Sequence, residues 1–468
     1  MEELLNKIKR LMPKKLFKAL QPAYHFLLSW FSAFVYGWPS EKLIVIGVTG
    51  TTGKTTSVYL MAKMLEKAGF KVGYTSTAMF NNGKREWLND KKMTMVGRFF
   101  TQRVLRNMLR NRCQYAIIET TSEGIRQFRH RFINYDILVF TGLYSEHIES
   151  HGSFENYKKT KGKLFEHLKR CKVKYINEQK QVANKLSGIK KIDLNRVKKT
   201  AIVNGDDEHA DYFLDFWSEE KIIYTRDLDY KKELKDVLII DYQEINISKE
   251  GTSFKIRNKK INLQLLGDFN ATNAMNAVCL GISQRLGIDE IKKGLEEIKG
   301  VPGRLEKIDQ GQDFTVIIDY AFEPRALEKL YEIIKLIPHN NVIHVLGSTG
   351  GGRDIARRPK LGKLAGEKAD YVIVTNEDPY DDDPQTIIEQ VSQGVDNKEK
   401  KINNSLFKIL DRGEAIKKAL SLAKQGDMVL ITGKGSEQAI CVANGEKIEW
   451  DDRVMARNEL ELRLKNEE

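Results

Sequence analysis

The residues best suited to chemistry lie early in the chain, in LIVIGVTGTTGKTTSVYLMAKML, where a β-branched run meets two glycines, a lysine and a file of threonines. Gly50 and Gly53 let the backbone curl until its amides face one anion. Lys54 has the reach for β and γ phosphates, and the Thr55 hydroxyl suits Mg²⁺. The stretch Gly50, Thr51, Thr52, Gly53, Lys54, Thr55 and Thr56 is therefore predicted to be a phosphate-binding loop. The strict G-x-x-x-x-G-K-[ST] spacing would place glycine at Val48, so one position of the pattern is missed. A strand before the loop and a helix after it supply the context that a bare glycine-rich turn lacks.

Such a loop needs a sheet edge to hold it. LIVIGV (43 to 48), YAIIE (115 to 119) and DILVF (136 to 140) read as buried strands with helical stretches between them, the pattern of a mainly parallel α/β sheet. A second series, FTVIID (314 to 319), NVIHVLG (341 to 347), DYVIVT (370 to 375) and DMVLIT (427 to 432), predicts a second α/β domain. GVPGR (300 to 304) crowds two glycines and a proline into five residues and marks the boundary. The expected organisation is a segment 1–40, a nucleotide-binding domain 41–299 and a C-terminal domain 300–468. Residues 220 to 265, with VLIIDYQEINIS and TSFKIRNKKINLQLL, look like a small antiparallel addition to the first domain. Asp383 before Pro384 reads as a helix cap, which makes the acidic run 381 to 383 a loop and cap rather than a metal cluster.

With 468 residues, 41% hydrophobic and 30% charged, and only 9 prolines, the chain is neither disordered nor low in complexity. Its 77 Lys and Arg against 64 Asp and Glu give a net charge of +13, which favours anionic partners. The basic stretches lack interleaved aromatic platforms, so nucleic acid is not expected. Cys113, Cys171, Cys279 and Cys441 are far apart, which fits a reducing cytoplasm. The first 20 residues carry six Lys or Arg against two Glu, and the 16 residues AYHFLLSWFSAFVYGW follow between Pro22 and Pro39. That apolar stretch is shorter than the ~20 residues of a membrane span. It is read either as a helix lying in a membrane interface or as one packed on the folded body.

GTTGKTT, IETTSEG (118 to 124), LYSEHIESHGSFENYKKTKGKLF (143 to 165), NGDD (204 to 207), LGDFNATNAMNA (266 to 277), GVPGRLE (300 to 306), IDYAFEP (318 to 324) and GKGSE (433 to 437) occur in one order. Together they resemble the ATP-dependent Mur ligases, from about residue 42 to about 450. Eight ordered blocks are far more specific than any one of them. The resemblance implies a P-loop ATPase domain joined to a Rossmann-like α/β domain. It also implies ADP-forming amide synthesis in peptidoglycan precursor and cell-wall biogenesis: a carboxylate of a muramoyl peptide takes the γ-phosphoryl group of ATP, and an amino acid then displaces phosphate.

The same resemblance implies roles for single residues. Lys54, Glu119, His147 and Lys161 match the catalytic set, with Thr55, Glu119, His147 and Lys161 matching ligands of two Mg²⁺ ions. Lys161 matches a lysine carried as N6-carboxylysine. A carbamate offers Mg²⁺ anionic oxygen where an ammonium would repel it. Taken by itself, Lys161 is one lysine among several on a solvated helix face. Asn270, Arg304 and Asp319 match nucleotide contacts, although Asn270 could cap a helix beginning at Ala271 and Asp319 could merely end a strand. Thr94, Ser122 and Arg129 match positions near the carboxylate substrate; Arg353, Asp378 and Glu437 match the surroundings of the amino acid.

Departures from the pattern are equally specific. About forty residues precede the first strand where relatives have a uridine-binding domain, Phe322 and Glu123 stand where histidines are expected, and the family's D-N-P-R reads Glu377, Asp378, Pro379, Tyr380. Without that arginine a second carboxylate loses its bidentate partner, whereas Asp378 could pair with a side-chain amine such as lysine's. The expectation is a cytoplasmic monomer with peripheral membrane contact through residues 1–40. The alternatives are a ligase for a lipid-linked, folate or cyanophycin-like substrate, and a nucleotide-binding scaffold without catalysis.

Overall fold

The computed structural model describes residues 14–144, 152–183, 194–227, 229, 236–248, 250–352, 355–395 and 404–467. In chain order, α1 (Lys14–Val35) leads to β1 (Ile44–Thr49), α2 (Lys54–Lys67), β2 (Val72–Thr75), β3 (Met79–Asn81), β4 (Glu86–Leu88), α3 (Arg98–Arg110), β5 (Tyr115–Glu119), α4 (Ser122–Arg126), β6 (Ile137–Phe140) and α5 (Phe154–Leu168). β7 (Lys174–Ile176) and β8 (Asn195–Val197) pair as a small hairpin, followed by β9 (Thr200–Asn204), β10 (Glu220–Thr225) and β11 (Val237–Asp241). One nine-stranded sheet runs β11-β10-β9-β6-β1-β5-β2-β3-β4. It is parallel except at β3 and β4, which turn back as an antiparallel edge.

Each buried strand works on both faces. Ile44, Ile46 and Val48 of β1 enter one core with Val58 and Leu65 of α2 and Ala274 and Val278 of the helix Asp268–Ser283. Val45, one residue out of step, points to the opposite core with Val104 of α3 and Leu164 of α5. Gly47 is required between them, because a Cβ there would lie 2.7 Å from the Tyr135 ring.

The strand segment 237 to 241 corrects the sequence expectation. VLIID pairs parallel to β10 and closes the main sheet, while the antiparallel addition is confined to β12 (Gln243–Ser248), β13 (Gly251–Ile256) and β14 (Lys259–Leu263). Alternation alone does not reveal which neighbour a strand will pair with.

The second sheet runs β15 (Glu306–Ile308), β16 (Thr315–Ile318), β20 (Met428–Ile431), β17 (Val342–Leu346), β18 (Tyr371–Thr375) and β19 (Leu406–Ile409), parallel from β16 onward. A last hairpin joins β21 (Ala439–Cys441) to β22 (Lys447–Glu449). Asp383 caps Pro384–Gly394, accepting from the amides of Gln385 and Thr386 with Pro384 at the first position, as its sequence context suggests. The boundary loop is tightly packed: Gly303 has φ +65°, and a Cβ there would meet the Ser436 amide nitrogen at 2.1 Å.

Asp136 ties the strand starts together. Its fully buried carboxylate accepts from the Val45 amide (2.9 Å) and from Nζ of Lys174 and Lys199, and those lysines also cap the carbonyls of Leu43, Asn134 and Tyr135. Two ammonium groups stripped of water depend on one anion. Asp136→Ala is expected to cost about 3–5 kcal/mol in urea unfolding; a loss under 1 kcal/mol would show that the cluster is not what pins β1, β6 and β9 together.

Candidate active site

The carboxyl ends of parallel strands gather the predicted chemistry on one edge of the nine-stranded sheet. β1 ends at Thr49, and the chain turns through Gly50 to Gly53 before α2 begins at Lys54. Gly53 sits at φ +76°, and no side chain caps the helix there, so the amide donors of the first turn are left for a ligand. The loop is held from outside. Thr51 donates its amide to Gly142 O (2.8 Å), and Thr141 Oγ1 donates to Thr52 O (2.6 Å). Lys54 Nζ lies on Thr51 O at 2.6 Å, folded back over the loop that it is predicted to serve. Thr56, in the first turn of α2, is buried.

Thr55 Oγ1 donates to Glu119 Oε2 at 3.0 Å. Glu119, at the end of β5, is 1% exposed and receives two further hydrogen bonds from Thr77, one from the amide (2.8 Å) and one from the hydroxyl (3.1 Å). Thr77 Oγ1 also reaches Thr94 Oγ1 at 2.9 Å. One chain of contacts thus links the P-loop to a predicted acceptor residue. Thr94 is followed by Met95, whose carbonyl accepts from Arg129 Nη1, and Arg129 is further held by Gln127 Oε1 at 2.7 Å. Ser122 opens α4 behind Thr121, whose hydroxyl caps the helix.

Lys161 settles its own ambiguity. It is 1% exposed on α5, with Nζ 2.7 Å from Gly50 O and 4.7 Å from the centre of the Tyr157 ring. It is therefore no member of a solvated face: that reading fails because α5 turns this lysine toward the P-loop. Tyr157 OH in turn contacts Thr51 Oγ1 at 3.3 Å.

Donor chemistry separates the residues expected to hold a metal. Thr55 and Glu119 are buried oxygen donors and fit Mg²⁺; the Lys161 ammonium as it stands does not. His147 and Arg353 lie outside the described residues.

The residues expected to contact a nucleotide divide between the two sheets. Asn270 lies inside the helix Asp268–Ser283 with Nδ2 on Leu266 O (2.8 Å), so it does not cap a helix starting at Ala271; the helix begins three residues earlier, with Gly267 at its cap. One turn on, Asn273 Nδ2 contacts Asn270 Oδ1, and a Cβ added to Gly53 would lie 2.3 Å from Asn273 Oδ1. Asp319 follows β16 and binds the amides of Leu305 and Ala321, both at 2.7 Å. Burial pushes its carboxyl up, with Arg304 opposing. Arg304 lies 4.3 Å from the centre of the Tyr320 ring.

At the same edge of the second sheet, Asp378 accepts from Lys434 Nζ (2.9 Å), the Cys441 amide (2.7 Å) and Lys92 Nζ (2.8 Å). Glu437 pairs with Lys434 (3.0 Å) and with Lys92, and Tyr320 OH is 3.3 Å away. Lys92 comes from the other sheet's side, between β4 and α3, and bridges the two bodies. Burial raises the Asp378 carboxyl, but Lys434 and Lys92 outweigh it and hold it below its ordinary value; the acids raise Lys92 against its own burial. Arg325 makes a second bridge, 4.5 Å from the centre of the Tyr144 ring. Phe322 contacts Tyr320 and lies under Arg357, and Glu123 pairs with Arg126 and Gln127 on its own helix.

Sequence reasoning missed Thr77, Lys92, Thr141, Asn273 and Lys434. Lys434 stood inside the GKGSE block and Asn273 inside LGDFNATNAMNA, and both could have been found; the others come to the site through the fold.

The chain matches the Mur ligase middle domain over residues 48–281 and the glutamate ligase domain of Mur ligases over residues 303–435. It is 35% identical over 437 residues to the UDP-N-acetylmuramyl-tripeptide synthetase of Roseiflexus sp. (strain RS-1), covering 92% of this chain and 81% of that protein. Against the UDP-N-acetylmuramoyl-L-alanyl-D-glutamate--2,6-diaminopimelate ligase of Geobacillus kaustophilus (strain HTA426) the identity is 31%, with 90% and 80% covered. Among solved structures, MurF from Acinetobacter baumannii aligns with TM-score 0.62 at 14% identity, over 94% of this chain and 80% of that one. Folylpolyglutamate synthase of Mycobacterium tuberculosis complexed with ADP and AMPPCP also gives 0.62, at 15% identity over 88% and 93%. At those identities the structures attest the fold alone.

Gly53→Ala tests the loop. The added methyl meets Asn273 and sits at a φ that costs an L-residue about 1–2 kcal/mol, so ATP affinity by calorimetry is expected to fall at least tenfold with the melting curve little changed. Unchanged affinity would dismiss this turn as the phosphate cradle.

Proposed function

This chain belongs to the Mur ligase family and is an ATP-dependent, ADP-forming ligase of peptidoglycan precursor synthesis; from that premise we propose how its own residues divide the work and which amino acid it adds. It joins an amino acid to the carboxylate of a UDP-N-acetylmuramoyl-peptide-like acceptor through an acyl phosphate. The acceptor oxygen bonds to the γ-phosphorus as the bond to the β-bridging oxygen breaks, releasing ADP. The amine then adds to the carbonyl carbon, loses a proton, and phosphate leaves.

The observation that carries the residue roles is the buried placement of Lys161 Nζ at Gly50 O beside the Thr55 and Glu119 pair. The P-loop amides, with Thr51, Thr52 and Thr56 shaping the turn, hold the phosphates, and Lys54 swings from Thr51 O to offset the repulsion between two anions. Thr55, Glu119, His147 and Lys161 hold Mg²⁺ at two sites, Lys161 after its amine has added CO₂ and shed a proton to become N6-carboxylysine. When bound, Mg²⁺ supplies charge neutralisation along the transferring phosphoryl group. Thr77 keeps Glu119 oriented, Asn270 and Asp319 hold the adenine and ribose, Arg304 stands near the phosphates, and Thr94, Ser122 and Arg129 hold the acceptor. Domain limits of 41–299 and 300–468 fit this division, with Lys92 and Arg325 spanning the cleft.

The incoming amino acid carries a side-chain amine. Asp378 and Glu437 already accept two ammonium groups, and Lys92, lent from across the cleft, occupies the place a substrate ammonium would take. Arg353, which lies outside the described residues, matches the same role by its place in the sequence. The enzyme works in the cytoplasm as a monomer, with peripheral membrane contact through residues 1–40.

Four measurements test this reading, two on the amino acid added and two on Lys161. With ATP, Mg²⁺, bicarbonate and UDP-muramoyl-dipeptide, mass spectrometry should show lysine or ornithine ligated ahead of alanine, and Lys92→Met should lower the KM for that diamino acid while kcat holds. No ligated product with any amino acid would overturn the assignment. Lys161→Ala should abolish ADP release, and a ¹³C carbamate signal from labelled bicarbonate should vanish with it; undiminished turnover would remove the carbamate.

A further inference from the structure

The helix α1 is built inside out relative to an ordinary surface helix. Its small and polar positions face the protein: Ser29, Ser32 and Ala33 are buried, Ser29 Oγ contacts Phe128 O at 3.0 Å, and Arg98 Nε donates to Ser29 Oγ at 2.9 Å. Its large apolar positions face outward. Leu27 is 61% exposed and Phe34 58%, and Leu20, Trp30, Phe31 and Val35 are exposed with them. Leu20, Leu27, Phe31 and Phe34 recur at i, i+7, i+11 and i+14, which makes one continuous stripe. A soluble surface normally puts its apolar stripe on the core, so a row this size pointing away marks a contact.

The surroundings say what covers it. No acid occurs in α1, which opens with Lys14, Lys15 and Lys18, and residues 98–112, on the helix packed beside it, hold Arg98, Arg103, Arg106, Arg110 and Arg112 with no acid. Arg106 lies next to Gly37, just past the end of α1. A second copy of this face would set cation against cation, whereas anionic headgroups would be drawn to it. Among the described residues no helix is long and apolar enough to cross a membrane. We propose that α1 is an in-plane foot that seats the enzyme on an anionic bilayer, its apolar stripe at the acyl boundary and Arg103, Arg106, Arg110 and Arg112 at the headgroups.

The foot is continuous with the acceptor side of the cleft. Arg98 bonds both Ser29 of α1 and Gln127 O, Gln127 holds Arg129, and Arg129 holds the Met95 carbonyl beside Thr94. Seating α1 therefore brings the acceptor end of the site to the lipid surface, where a membrane-carried carboxylate could enter without leaving it. This deepens the peripheral contact proposed above, and its last step rests on the acceptor roles of Thr94 and Arg129.

Vesicle co-sedimentation of the full chain decides the matter. Binding is expected to vesicles with about 30% phosphatidylglycerol, to weaken sharply with salt and to be far weaker on phosphatidylcholine alone. Leu27→Asp and Phe34→Asp, both on the outward face and remote from the P-loop, should each weaken it at least about tenfold. Wild-type protein that ignores anionic vesicles, or variants that bind as well as wild type, would overturn the proposal. So would a wild-type dimer in sedimentation that Leu27→Asp separates, since the face would then belong to a second copy. Ligation of a soluble UDP-linked acceptor and of the same muramoyl peptide on a lipid carrier is measured alongside: its absence with both in a wild type that binds vesicles would count against the ligase reading and leave the foot standing.

Discussion

The site turns on one buried cation. Lys161 brings a primary amine to the Gly50 carbonyl in a place almost closed to water, and a charge so placed must be paired, bonded or converted. Here the carbonyl and the Tyr157 face stabilise it. Under the proposed carbamate the charge would invert: the same nitrogen that repels a metal as an ammonium would present anionic oxygen. The tight fit of Gly50 against Thr141 and of Gly53 against Asn273 follows from the need to hold loop and lysine in one frame.

A second set of charges performs the joining. Two acids and Lys434 belong to the second body, and Lys92 crosses from the first to complete a neutral cluster with almost no exposed surface. Contact between the two bodies and charge balance in this cluster are therefore tied to one side chain, Lys92. In the proposed function a substrate ammonium would compete with Lys92 for the same two carboxylates, and occupancy would be felt as a change in domain contact.

α1 illustrates how far pattern can mislead about destination. Its periodicity was legible, and both an interfacial helix and a packed helix fitted it. In the fold the helix is packed on the body through Ser29 and Ser32, and its apolar stripe is left outside. Similarly, the strands 115–119, 137–140, 342–346 and 371–375 were readable almost to the residue because buried parallel strands are continuous β-branched runs. VLIID misled because alternation identifies a strand without naming its neighbour, and Asn270 misled because the helix start is set by Gly267 upstream.

The amino-acid order alone determined the P-loop, the ladder of strands that carries it and, through eight ordered blocks, the family. These are local or collinear properties, written in spacing that survives without coordinates. Only the tertiary structure decided that Lys161 is buried against Gly50, that Thr77 links Glu119 to Thr94, that Lys92 sits with Asp378 and Glu437, and that α1 shows its greasy side to the outside. Each joins residues from separate strand ends or separate sheets, and such meetings depend on crossover geometry and packing rather than on distance along the chain.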